Sequence, residues 1–347
     1  MRILKTCIAT TLLIAAALAI IIPVPVGNTE HLLTAAEAQS TSLTIYSGRS
    51  EDLVGPIIEQ FETDTGIEVE VIYGSTTALA LQILEEGDNS PADVFYAQDA
   101  GALGLLAEND LLETLPGYIL DSVEPRFRSS EDVWVGITGR ARVVNYNTDL
   151  VSPDELPATI YDFADEEWDG RLGWAPTNGS LHAHLSAIRA IDGDEAMRGL
   201  VEGLMNNNAQ EFEGNSQAVA AVQSGEIEAA LVNHYYMFRV LAENPDVPLA
   251  NYYFPSEDIG NLVNVSGAGI LVNSDAKPLA QQFIAFMLSR TAQTYFVEET
   301  FEYPMLIGVE ADERLVPLSE IQTPELDLSI MSDLEGTLEL LDTIRSE

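Results

Sequence analysis

Apolar periods of strand length and helix length alternate along this chain, and that alternation constrains its fold more than any other feature. Residues 43–47 form a short β run; Leu53, Val54, Ile57, Ile58 and Phe61 then recur at the spacing of one helical face. Ile67-Glu68-Val69-Glu70-Val71-Ile72-Tyr73 alternates apolar with polar as a strand does, 79–84 reads as helix up to Gly87, and Asp93-Val94-Phe95-Tyr96 as a buried strand. An order of β-α-β-α-β implies a parallel sheet covered by helices. After Trp134 the pattern resumes. Residues 142–146 make a strand, and Leu172-Gly173-Trp174 leads through Ala175-Pro176-Thr177-Asn178-Gly179-Ser180 into a helix with Leu181, Leu185 and Ile188 on one face. Helices at 196–204, 216–222 and 279–288 and strands at 229–233 and 263–272 follow. No tandem repeat or low-complexity linker separates the two units, so crossing strands rather than a tether are expected to join them.

Arg2 and Lys5 precede an apolar stretch from Ile8 to Val26, and a polar segment then ends in Ala36-Glu37-Ala38. This is the pattern of a secretory signal peptide, 1–38, with cleavage near Ala38; Pro23 and Pro25 argue against a retained membrane anchor. The single cysteine, Cys7, lies in the leader, so the mature chain has no disulfide. The leader takes away two bases (Arg2, Lys5) and two acids (Glu30, Glu37), leaving the net charge at −41. Such a field repels nucleic acid and anionic lipid headgroups. With 46% hydrophobic residues the chain is nevertheless too apolar to be disordered. Lys277 is the one lysine outside the leader, and acids are spread along the whole length. That is the expected surface of a halophilic protein, soluble where salt screens self-repulsion over a few ångström.

His234-Tyr235-Tyr236 sits where the buried run Ala229-Ala230-Leu231-Val232-Asn233 gives way to a helix. Open α/β sheets place ligands at the carboxyl ends of their strands, and phenolate oxygen is a hard anionic donor suited to Fe³⁺. Two readings follow from the residues alone: a ferric-ion site, or one tyrosine in the core and a second with a wetted hydroxyl.

Several strings, in this order and spacing, resemble the periplasmic ferric-ion-binding proteins, the solute receptors of ABC iron importers. They are Ile45-Tyr46-Ser47-Gly48-Arg49, Ser90-Pro91-Ala92-Asp93-Val94-Phe95-Tyr96, Gly139-Arg140-Ala141-Arg142-Val143-Val144, the stretch from Ala175 to Ser180, Asn233 to Tyr236, and Glu302-Tyr303-Pro304. The resemblance implies an α/β, two-lobed periplasmic-binding-protein fold of type II, with parallel or mixed sheets flanked by helices and two crossing hinge strands near 137–142 and 263–267. Lobe 1 would comprise 39–138 and 266–317 and lobe 2 would comprise 139–265 and 318–347, with the cleft between them. It implies a monomeric periplasmic receptor, not an enzyme, that carries Fe³⁺ with carbonate or phosphate as synergistic anion to a permease and its ATPase. Tyr235 and Tyr236 match the family's metal ligands. Asn178, Gly179 and Ser180, at a helix start whose free N–H groups favour anions, would seat the anion together with Asn215 and Asn233.

Ser50 and Gln98 stand where some members place metal-binding His and Glu. Arg49 and Arg140 resemble instead the members in which arginines hold the anion, a guanidinium fork suiting a bidentate oxyanion. Further candidate metal donors are His182, Gln98 and Tyr146. The nearest alternative keeps the fold and changes the cargo to a small organic cation or an oxyanion, with the tyrosines stacking on a cation and Asp99 or Glu51 supplying a carboxylate. No G-x-S-x-G, H-E-x-x-H or phosphate-loop motif suggests an enzyme.

Overall fold

Residues 42–324 and 326–347 are described by the computed structural model; the expected leader and its cleavage point lie outside the described residues. The strands are β1 (Ser42–Ser47), β2 (Glu68–Tyr73), β3 (Val94–Ala97), β4 (Trp134–Asn147), β5 (Leu172–Trp174), β6 (Gln210–Glu211), β7 (Ala229–Asn233), β8 (Leu249–Tyr252), β9 (Val263–Ile270) and β10 (Tyr303–Pro304). The α-helices are α1 (Glu51–Thr65), α2 (Thr76–Glu86), α3 (Ala100–Glu108), α4 (Gly117–Leu120), α5 (Gly179–Asp192), α6 (Asp194–Asn206), α7 (Asn215–Ser224), α8 (Tyr235–Glu243), α9 (Lys277–Met287), α10 (Arg290–Tyr295) and α11 (Leu334–Ser346).

The strands run in the order β2-β1-β3-β9-β4-β7-β5-β6, with β10 and β8 also paired to β4. Pairing is parallel where helices cover the crossovers, as in β1 with β2 and β3 and in β5 with β6 and β7, and antiparallel where β9 and β4 enter. The predicted apolar stripe of α1 is buried, with Phe61 packed edge-on against Phe283 of α9 at 5.3 Å. Burying each such side chain stabilises the fold by about 1.5–3 kcal/mol. Gly66, at φ 73°, ends that helix in the left-handed conformation that glycine adopts without penalty. Edge strand β2 keeps Glu68 and Glu70 exposed, which discourages edge-to-edge association.

β4 holds the halves of the sheet together. Its residues from Trp134 to Ala141 pair with β9, and those from Arg142 to Asn147 pair with β7 and β8, so one strand passes from the first set of partners to the second. All 14 of its residues are buried. Apolar periodicity marked only its second part, 142–146, while the crossing strand near 137–142 was expected from the resemblance; glycines and polar residues break the apolar pattern there. Between Gly136 and Thr138 the register against β9 shifts, a bulge that bends and twists the strand as it crosses.

Gly267 of β9 lies at this crossing, where an added Cβ would stand 2.8 Å from the Val135 carbonyl oxygen and 2.7 Å from Leu103 Cδ1. Backbone cannot yield as a side chain can. Gly267→Ala is therefore expected to lower stability by about 1–3 kcal/mol, read as a lower urea midpoint at unchanged slope; an unchanged midpoint would mean that the crossing strands are free to part.

Candidate anion and metal site

Strand β7 ends at Asn233, and the next residue fixes how the tyrosines are presented. The His234 backbone N–H donates to the Ala141 carbonyl (3.0 Å), its Nδ1 accepts from the Ala141 N–H (3.2 Å), and its Nε2 donates to the Phe301 carbonyl (2.9 Å). Burial pulls its pKa down to about 3, so the imidazole is neutral and serves as an anchor. α8 then opens with Tyr235, fully buried and with no partner on its hydroxyl, and Tyr236, which is partly exposed. Their ring centroids are 4.4 Å apart with planes at 31°. Burial, and then the neighbouring Tyr235, push the Tyr236 phenol well above its ordinary range, while Arg49 and Asn215 pull it back in part.

Arg49 follows β1 through Gly48, a position that tolerates no Cβ because one would lie 1.9 Å from Thr76 Oγ1. Its Nη2 donates to Glu302 Oε2 at 2.6 Å in a fully buried ion pair, while Nε and Nη1 have no partner. Burial alone would lower the Arg49 pKa; Glu302, and then Tyr235, Tyr96 and Tyr236, more than offset it and keep the guanidinium charged. Arg140 and Arg142, two apart in β4, project to the same face. Arg142 donates to Asn233 Oδ1 (3.1 Å) and the Leu231 carbonyl (2.9 Å), and burial together with Arg140 lowers its pKa to about 9. Arg140 is 1% exposed, and neither of its terminal nitrogens has a partner. Burial first and Arg49 second pull its pKa down, against Tyr235, Asp99 and Glu302.

The start of α5 is packed more closely than the sequence suggested. Asn178 caps it by accepting the Ser180 N–H (3.0 Å); Ser180 Oγ accepts from Asn233 Nδ2 (3.1 Å) and from the Gln98 side-chain amide. Asn178, Gly179, Ser180 and Asn233 thus form a polar seam to the end of β3, with side-chain hydrogen bonds already made. Asn215, at the start of α7, is buried with its Nδ2 free, close enough to influence Tyr236.

Two of the three further candidate donors have other employment, and the third is engaged through one atom only. His182 is buried, and both its ring nitrogens are hydrogen-bonded, Nδ1 to Thr77 Oγ1 (3.1 Å) and Nε2 to the Pro176 carbonyl (2.9 Å), so it has no nitrogen to offer a metal here. Tyr146 is core, opposite Ala229 and four strand positions beyond Arg142, about 13 Å away at the usual rise. Gln98 gives its side-chain amide N–H to Ser180, which commits its nitrogen but not the oxygen through which an amide binds a metal. Ser50 is an exposed residue at the start of α1, and Glu51 is exposed in its first turn, whereas Asp99 is buried beside Arg140.

Sequence reasoning gave no role to Arg142, Glu302 or Tyr96. Tyr96 is fully buried with a free hydroxyl, its pKa raised by burial against the pull of Arg49. Arg142 opens the predicted strand 142–146 two positions after Arg140, on the same face, which was a usable signal for it. Glu302 stood in one of the strings that carry the resemblance, but its role was not legible there, since it arises from a partner 253 positions away.

Tyr236 reaches solvent through a cavity of about 170 Å³ lined also by Asp52, Ser216, Val219, Arg239 and Glu243, with Arg239 paired to Asp52 at 3.0 Å. The larger cavity, about 670 Å³, lies between Phe127, Arg128, Val263, Leu318 and Leu328 and contains none of the candidate residues. Among the described residues no group of three His, Cys, Asp or Glu is placed to hold a metal, so phenolate is the donor chemistry that this site offers.

The chain is an α/β protein with a buried, arginine-lined polar site at its strand ends; residues 47–294 match the bacterial extracellular solute-binding protein family, and the chain belongs to it. It is similar to the Fe(3+)-binding periplasmic protein of Serratia marcescens, 32% identical over 296 residues that cover 84% of this chain and 87% of that protein. The major ferric iron-binding protein of Neisseria meningitidis serogroup B is 33% identical over 315 residues, 89% of this chain and 95% of that one. Iron-bound HitA from Pseudomonas aeruginosa superposes with a TM-score of 0.83 at 35% identity, over 87% of this chain and 99% of that one. The predicted two-lobed α/β architecture is the fold of these proteins.

Removing one partner of a buried ion pair strands the other charge. Glu302→Ala is expected to cost about 3–5 kcal/mol, whereas Arg49→Met with Glu302→Leu, which removes both charges, should cost clearly less. Urea denaturation of the two variants checks this, and a double variant as unstable as the single would locate the loss in packing instead of charge.

Proposed function

We propose that the chain is an exported receptor that binds one ferric ion between its two lobes, 39–138 with 266–317 and 139–265 with 318–347, with an oxyanion beside it. It hands the ion to an ABC-type importer, permease and ATPase, acting as a monomeric carrier rather than as an enzyme. One observation carries this reading: a stacked pair of tyrosines lies among buried arginine N–H groups that have no partner, Nε and Nη1 of Arg49 and both terminal nitrogens of Arg140. Buried donors left open are costly unless a ligand completes them. Phenolates from Tyr235 and Tyr236 would meet the metal, and the arginines would hold a carbonate-like anion that fills its remaining coordination positions. The ferric names of the relatives support the choice of cargo.

Residues 1–38 would direct export to the periplasm, and among the described residues no helix is long and apolar enough to cross a membrane. A receptor for an oxyanion alone would use the same arginines. Asp99 would offer an organic cation a carboxylate, but the buried Arg49, Arg140 and Arg142 near Tyr235 disfavour a second positive charge there.

Ferric citrate should give the protein a visible phenolate-to-iron charge-transfer band. Tyr235→Phe and Tyr236→Phe should each weaken iron binding upward of about 100-fold, more than the loss of a residue that merely supports a metal ligand, with the fold retained. A band of full intensity in the double variant would sink the tyrosine assignment, and an uncoloured wild type would favour the oxyanion receptor.

Phenols are protonated at neutral pH, and burial raises Tyr236 further. Iron must therefore displace about two protons from the protein, one per phenolate, and its affinity should fall as pH is lowered. Titration at constant pH counts them; release of no proton would exclude phenolate ligation.

A further inference from the structure

Asp99 is the charged group of the site to which ferric binding by tyrosines and arginines gives no task. Its side chain is 2% exposed. Oδ1 caps α3 by accepting the Ala102 N–H at 3.2 Å, and Oδ2 has no hydrogen-bond partner. That free oxygen lies over the first residue of α5: a Cβ built on Gly179 would be 3.2 Å from it, with Thr76 Cβ at 3.4 Å and Thr77 Oγ1 at 3.9 Å closing the other sides. The Ser180 N–H is taken by Asn178 Oδ1, and those of Leu181 and His182 by the Asn178 carbonyl, which leaves the Gly179 N–H, on the residue beneath Asp99, as the open donor of the helix start. One carboxylate thus stands between the positive ends of two helices, with Arg140 within electrostatic reach.

We propose that Asp99 is a built-in anion that occupies the start of α5 and so sets the anion specificity of the site. It turns a free phosphate away from the helix and leaves the arginine seat to a small planar dianion, carbonate. A phosphate placed on the Gly179 N–H would bring further negative charge into contact with a buried carboxylate, which disfavours it. A carbonate on the open nitrogens of Arg49 and Arg140 matches the guanidinium fork and does not need the Gly179 N–H beneath Asp99. This inference rests on the ferric reading above.

The test uses Asp99→Asn and Asp99→Ser, since Asn and Ser also cap helices and preserve α3. Ferric titrations in carbonate-free, phosphate-free buffer, followed by the charge-transfer band, are repeated with bicarbonate or with inorganic phosphate. Wild type should require an added anion and favour bicarbonate. In both variants phosphate should gain on bicarbonate by at least about tenfold, the order expected when a like charge at short range is removed. An unchanged preference in both variants overturns the proposal, as does full colour of the wild type with neither anion. A band absent from every protein under every condition overturns the ferric reading itself.

Discussion

The buried pair Arg49–Glu302 is the interaction on which the rest of the site depends. A buried ion pair is poor evidence of stability, since desolvation consumes much of its attraction; what it supplies here is orientation. Glu302 accepts from Arg49 on Oε2 (2.6 Å), from Thr300 on the same oxygen (3.1 Å) and from Thr138 on Oε1 (3.0 Å), and Thr138 also bonds Ser266 Oγ at 2.6 Å. Thr138 and Ser266 face each other on β4 and β9 directly after the bulge. The guanidinium that presents its free nitrogens to the tyrosines is thereby fixed to both crossing strands. The segment holding Glu302 is itself strained. Phe301 has φ 57°, a conformation costing a bulky residue about 1–2 kcal/mol, and its carbonyl is the one that anchors His234. One strained residue therefore aims two supports, the carboxylate behind Arg49 and the carbonyl behind the tyrosine turn.

Much of the fold was legible because burial imposes periodicity. The α1 stripe, the alternation of β2 and the apolar β7 ahead of the tyrosines each lie where the pattern put them. What escaped was long-range. The first part of β4 is buried on all sides, so it carries no alternation; the resemblance placed a crossing strand near 137–142, but its start at Trp134 and its pairing with β9 and β10 could not be read from Gly136, Thr138, Gly139 and Arg140. The tyrosine pair and the arginines were named from the sequence, and the structure brings them together around Arg49. The helix-start residues were legible as polar but not as already bonded, because their partners Gln98 and Asn233 belong to strand ends distant in sequence. A histidine at a helix start reads as solvated; only the packing of Thr77 and Pro176 against it reveals that His182 is buried.

Charge accounts for why metal and anion would bind together on the proposed reading. Arg49 is cancelled by Glu302, and Arg142 and Asp99 contribute opposite signs, so the empty site with neutral tyrosines is left with the charge of Arg140. Fe³⁺ with two phenolates adds one further positive charge, and a dianion by itself reverses the sign. Together they bring the formal sum to zero, the condition a partly dehydrated cleft favours. Each ligand therefore raises the affinity for the other, and the coupling is reciprocal by linkage. The same account bears on release. Beside apolar packing such as Phe238 against Phe301, polar contacts cross between the two proposed lobes: Thr77 with His182, Gln98 with Ser180, and Asp52 with Arg239. An exposed ion pair of the last kind contributes about 0–1 kcal/mol. On the proposed reading, an ion and an anion that touch both lobes favour the closed arrangement by their differential affinity for it, so protonation of the phenolates or loss of the anion would remove that contribution to closure as well as the affinity.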